Sequence, residues 1–189
     1  MKKESLARLV KNLEAAINAL RSDGIDDEKI MSRYVEYRVA LELSNRGHTV
    51  QVLSEREDKG ADIYLPVDKL KIEVKSGKFV YESSCASFGM GKQIKEGKFD
   101  YCVFVPYDET SLREFLVFSR DELAEVADRQ LGSFARYPKT NPCMVIRYDS
   151  YEEYERSLER LGEKTLRIEE ELHKHPEEFR DKWGKIKRK

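Results

Sequence analysis

Near the N-terminus, apolar residues recur at helical spacing. Leu6, Leu9, Val10, Leu13, Ala16, Ile17 and Leu20 fall three or four positions apart, which predicts an amphipathic helix ending near Gly24. A second helix is expected from Asp26 or Asp27 to Arg46, with Gly47 where a left-handed residue ends a helix. Its apolar residues lie on nearly every side, the pattern of a helix packed between layers, so each charged residue within it requires a partner.

After Gly47 the period changes to two. Val50 and Val52, then Ala61 to Leu65, then Leu70, Ile72 and Val74 read as three strands. The polar turn Pro66-Val67-Asp68-Lys69 joins the second and third as a hairpin. Tyr101 to Val105, Phe115 to Phe118 and Cys143 to Tyr148 are further strand candidates. The small residues from Ser83 to Gly91 read as a mobile loop leading into a short helix near Gln93. Ser119 with Glu122 and Ser150 with Glu153 have capping-box spacing, and the second opens a long charged helix to about His173. The basic tail after Lys182 binds phosphate or frays, with fraying the safer expectation.

Composition narrows the classes. Among 189 residues, 38% are charged, but Lys and Arg (35) balance Asp and Glu (36), leaving a net charge of −1. A uniformly basic nucleic-acid coat and a polybasic membrane binder are excluded, so an anionic partner must meet a local patch. The longest apolar run, Tyr101 to Tyr107, is too short to span a membrane, and no signal-like apolar stretch follows Met1, so a cytoplasmic protein is expected. Cys85, Cys102 and Cys143 form no metal-type pair, and His48, His173 and His175 lack zinc spacing. The scarcity of Asn and Gln beside abundant Glu, Lys and Arg resembles proteins from hot environments.

The candidate chemistry lies in Gly60-Ala61-Asp62 and Glu73-Val74-Lys75. Strand alternation puts Lys71, Glu73 and Lys75 on one face. A hairpin turning between Val67 and Asp68 sets Asp62 opposite Glu73; a turn shifted by one residue sets Asp62 opposite Lys75. Two opposed carboxylates repel, and a divalent cation with hard oxygen ligands relieves that repulsion. Lys75 would then orient a water or offset charge developing on phosphorus. A solvated Glu/Lys stripe on an exposed sheet face is the plain alternative. Around these residues, from Lys69 to Lys98, seven lysines stand against three glutamates, a patch suited to phosphate. Lys92, Lys95 and Lys98 alternatively form the wet face of a short helix.

Asp62, Glu73-Val74-Lys75 and the helical Glu36 resemble the active-site pattern of the PD-(D/E)XK nuclease superfamily, across roughly residues 30 to 123. Glu36-Tyr37-Arg38-Val39-Ala40 is similar to the family's first core helix, and Ser87-Phe88, Gln93 and Phe99-Asp100-Tyr101 to the elements after the E-x-K strand. Ala61 stands where the family usually has Pro. The resemblance implies a metal-dependent DNA endonuclease of α/β class, with a restriction-endonuclease-like mixed central sheet of four or five strands flanked by helices. It implies that Asp62 and Glu73 ligate Mg²⁺ or Mn²⁺ near the Val74 carbonyl, with Glu36 joining directly or through water and Lys75 positioning the water. Glu36, set among Val39, Ala40 and Leu43, alternatively pairs with an arginine such as Arg33. Lys78, Lys92, Gln93, Lys95 and Lys98 are the nucleic-acid-binding candidates. The expected organisation is an N-terminal helix (1–24), a nuclease-like core (25–149) and a C-terminal charged helix with basic tail (150–189), the additions offering a route to a homodimer. A non-catalytic nucleic-acid binder and a protein-interaction module displaying the apolar stripe of Leu6 to Leu20 are the rival readings.

Overall fold

The apolar spacing of the first 45 residues produces two packed helices, α1 (Lys3–Ser22) and α2 (Glu28–Asn45). The computed structural model describes residues 2–54, 60–81, 84–89, 98–108, 111–128, 143–150, 152–153, 155–156 and 176–187. Leu6, Val10 and Ile17 of α1 are buried with Met31, Tyr34, Val35, Val39, Ala40 and Leu43 of α2 in one core. α2 lies between α1 and the sheet, which is why its apolar residues point several ways. Among the described residues, no helix is long and apolar enough to cross a membrane.

Among the described residues the sheet is mixed and has seven strands: β1 (Gln51–Val52), β2 (Ile63–Leu65), β3 (Leu70–Val80), β4 (Cys85–Gly89), β5 (Tyr101–Tyr107), β6 (Leu116–Ser119) and β7 (Cys143–Arg147). β3 is the hub. Its first part pairs antiparallel with β2 and parallel with β5, which pairs with β6; its far end pairs with β4, which pairs with β7. Leu70, Ile72 and Val74 join the helix-side core. Cys102, Phe104 and Phe118 face a second core with Phe79 and Phe88, where Phe88 meets Phe104 edge-on at 4.8 Å and Phe104 meets Phe118 at 5.3 Å.

Three sequence expectations change. The mixed sheet flanked by helices is present, but with seven strands in place of four or five. Cys85–Gly89, read as a mobile loop, is a strand: Ala86 and Phe88 are buried while Ser87 and Gly89 are exposed. Its small residues masked a period of two that has only two apolar members. The tail does not fray as far as Lys187. Phe179, Trp183 and Ile186 are buried, Phe179 stacks on Phe118 at 4.0 Å, and the Val117 and Asp181 amides bond the Phe179 and Phe115 carbonyls. These three apolar anchors are separated by charges, so composition hid them. α3 (Arg120–Asp128) opens on the expected Ser119–Glu122 box, and the Ser150–Glu153 box also forms. The long helix expected from Ser150 to about His173 is helical at residues 152–153 and 155–156, and its remainder lies outside the described residues.

Gly77 is required for the junction of β3 and β4. A Cβ there would lie 2.5 Å from the Ser87 carbonyl oxygen and 2.7 Å from the Phe88 ring. Gly77→Ala is therefore expected to destabilise the fold by about 1–3 kcal/mol in urea denaturation; an unchanged midpoint would contradict this packing. Trp183→Ala is expected to cost about 3–5 kcal/mol, as for a core aromatic, whereas a frayed tail would give no measurable loss.

Candidate active site

The β2–β3 hairpin sets the register of the candidate residues. Its turn is held by Asp68, 2% exposed, whose Oδ2 lies 2.8 Å from Nδ1 of His48, just beyond α2. Ile63 pairs with Ile72 and Leu65 with Leu70, which is the register, of the two the sequence left open, whose extension would set Asp62 against Glu73. Asp62 itself lies just before β2 and leaves the regular ladder: its N–H donates to the Ile72 carbonyl (3.0 Å) and its carbonyl accepts from the Leu53 N–H (2.8 Å). The Asp62 Oδ2 accepts a hydrogen bond from the Val74 N–H at 2.8 Å, tying its carboxylate across the strand pair.

Glu73 is buried, 2% exposed. Its Oε1 lies 2.5 Å from the Lys75 Nζ, an ion pair along the same face of β3. The stripe is thus largely enclosed, unlike the solvated sheet face that was the plain alternative. Burial works against the Lys75 charge, but Glu73 and then Asp62 outweigh it and hold the lysine above its ordinary pKa. Lys75 is an ammonium at neutral pH. On β5, Cys102 pairs with Glu73; burial, then the Glu73 charge, pushes its thiol well above the ordinary value. It is therefore an inert neutral thiol.

α2 supplies the third carboxylate. Glu36 is ion-paired to Arg33, the alternative partner expected for it, and it also feels the other carboxylates. Burial, then the negative charge of Asp62, raises its pKa; Arg33 pulls it back and Glu73 adds to the rise, leaving it at about 7 against an ordinary 4.5. Ser32 and Ser76 hydroxyls meet at 3.3 Å, fastening the start of α2 to β3 beside these groups.

The remaining candidates divide. A Cβ built on Gly60 would overlap the Lys98 stem at 2.3 Å, so Lys98 lies against the backbone two residues before Asp62. Lys78 is exposed on β3 beyond Lys75. Lys92, Gln93 and Lys95 fall outside the described residues. Two features were missed by the sequence reading: the pressing of Cys102 against Glu73, and the Gly60–Lys98 contact. The first depends on the parallel β3–β5 register, which strand patterns do not reveal. The second had a signal in the glycine preceding Ala61-Asp62, a residue type suited to close approach.

Among the described residues, no three His, Cys, Asp or Glu side chains converge closely enough to hold a metal. The donor chemistry nevertheless fits a hard divalent ion bound by one or two carboxylates and water, as Mg²⁺ commonly is. Burial, and then the charge of Asp62, keeps Glu36 from ionising at its normal pH.

The raised Glu36 predicts how stability changes with pH. Folded Glu36 holds its proton more tightly than the unfolded chain does, so its favourable contribution is complete below about pH 4.5 and is lost as pH rises through about 7. One pKa unit corresponds to about 1.4 kcal/mol, which puts this loss on the order of 3 kcal/mol. In chelator-treated protein, denaturation midpoints are expected to fall from pH 5 to 8, and Glu36→Gln to flatten the fall. An identical slope in the variant would refute this assignment.

Neither a protein-family model nor a curated protein matches the chain. Among solved structures, the chain is similar to one titled as a bacterial homing endonuclease, I-Ssp6803I, at a TM-score of 0.49 and 15% sequence identity, with 84% of this chain and 90% of that chain covered.

Proposed function

We propose that this protein is a metal-dependent nuclease that hydrolyses phosphodiester bonds, with DNA as its substrate. The observation that carries the reading is that β3 gathers Asp62, whose Oδ2 accepts from the Val74 N–H at 2.8 Å, beside Glu73 and Lys75, with the Lys75 Nζ 2.5 Å from Glu73. The resemblance of Glu36, Asp62 and Glu73-Val74-Lys75 to the PD-(D/E)XK nucleases supports the same reading.

Asp62 and Glu73 would hold a divalent ion, Mg²⁺ or Mn²⁺, near the Val74 carbonyl, with Glu36 joining directly or through water. Such an ion lowers the pKa of a bound water and neutralises charge on a phosphoryl oxygen. Lys75, held protonated by Glu73 and Asp62, orients the attacking water and offsets negative charge on phosphorus as it is an ammonium and not a base. The Asp62–Val74 hydrogen bond fixes one carboxylate oxygen, and the Glu73–Lys75 pair fixes another, so both groups are positioned before substrate arrives. Lys98 beside Gly60 and exposed Lys78 would meet the phosphate backbone, with Lys92, Gln93 and Lys95 extending that contact. The interaction-module reading loses its motivating feature, because Leu6, Val10 and Ile17 are buried against α2 and are not displayed.

The test is incubation of purified protein with plasmid, single-stranded, branched and RNA substrates, with and without Mg²⁺ or Mn²⁺. Metal-dependent cleavage is expected, with Glu73→Ala and Lys75→Ala each lowering the rate about 100-fold or more while circular dichroism stays unchanged. No metal-dependent cleavage, or cleavage undiminished in both variants, would overturn the proposal.

A further inference from the structure

We propose that a cleft between α1, α2 and the chain at Ser111 and Leu112 is a binding site for a small oxyanion, with phosphate the best match. The half-open cleft has a volume of about 250 Å³, room for more than a single water. Its polar lining is Arg21, Arg38, Tyr34, Asn18, Ser111 and Glu14, and Ile17 and Met31 supply apolar surface.

The cation that asks for a ligand is Arg38. Its Nε is shut off from solvent and, among the described residues, has no acceptor. Arginine does not release its proton, so a buried guanidinium N–H without an acceptor bears a desolvation cost that an anion would remove. Arg21 comes from the other helix and is fixed in place: its Nε donates to Asp27 Oδ2 at 2.6 Å and its Nη2 reaches the Asp108 carbonyl at 3.5 Å. Two guanidiniums on different helices, Arg21 already ion-paired to Asp27 through its Nε, line the cleft with an amide and two hydroxyls, a donor set that matches the several acceptor oxygens of a tetrahedral oxyanion. Glu14 is the one carboxylate lining the cleft, and it is exposed at the rim.

This site is separate from the carboxylate cluster. Arg38 lies about 200° around the helix from Glu36, at 100° per residue, so the two point to different sides of α2. Occupation would clamp α1 to α2.

Thermal unfolding and calorimetric titration with inorganic phosphate, at constant ionic strength maintained with chloride, test the site. The unfolding midpoint of the full chain is expected to rise with phosphate concentration, as for any ligand that binds the folded state. Arg38→Met is expected to bind phosphate at least tenfold more weakly and, in phosphate-free buffer, to be no less stable than the parent chain. Lys75→Ala is expected to keep the full phosphate response, which separates this cleft from phosphate held at the carboxylate cluster. No response beyond the chloride control, a response unchanged in Arg38→Met, or one lost in Lys75→Ala would each overturn the proposal.

Discussion

The register of the β2–β3 hairpin governs everything built around the carboxylate cluster. A slip of one residue would send every side chain of a strand to the opposite face, so a turn held rigidly is a condition for any chemistry here. Buried Asp68 against His48 fixes the turn from the helix side, and the Asp62 backbone bonds to Leu53 and Ile72 hold the residue that precedes β2. In that register Asp62 and Glu73 both lie close enough to act on the carboxyl of Glu36 on α2. The molecule offsets this locally with Lys75 on Glu73, Arg33 on Glu36 and the Val74 amide on Asp62. Burial and then the Asp62 charge nevertheless push the Glu36 carboxyl up to about 7, and a divalent ion beside these groups would favour its ionised form.

β3 carries this site because it is shared between two cores. Leu70, Ile72 and Val74 pack beneath α2, while Phe79 belongs to the aromatic core on the other side. A strand fixed on both faces cannot shift Glu73 or Lys75 without disturbing packing elsewhere, so their rotamers are constrained by the whole sheet. The C-terminal segment adds to the same effect: Phe179 enters the aromatic core and Trp183 and Ile186 the helix-side core, and the Lys185 Nζ reaches Glu122 at 2.6 Å. The end of the described chain thereby closes both cores around β5 and β6.

Much of this was legible where local periodicity and tertiary packing agree. Both helices, the hairpin and the two capping boxes follow from spacing, and the hairpin's turn narrowed the position of Asp62 to two alternatives. The near-neutral charge was also informative once divided by place, since the stretch from Lys69 to Lys98 that contains Glu73 is rich in lysine. What remained hidden depends on contacts distant in sequence. β4 is a strand because β3 and β7 flank it, and neither Ser87 nor Gly89 favours that state alone. Phe179 docks on the aromatic core and Trp183 and Ile186 on the helix-side core, although the surrounding charges make the segment read as solvated. Arg38 looks like an ordinary helix-surface cation in the sequence and becomes notable only in its cleft.

The central claim is that Asp62 and Glu73 together hold a divalent ion beside Lys75. Calorimetric titration of the full chain with Mn²⁺, in parallel with Asp62→Asn and Glu73→Gln, tests it most directly. The account predicts saturable binding to the parent chain that each substitution weakens at least tenfold. Absence of binding, or binding of equal strength in both variants, would contradict it.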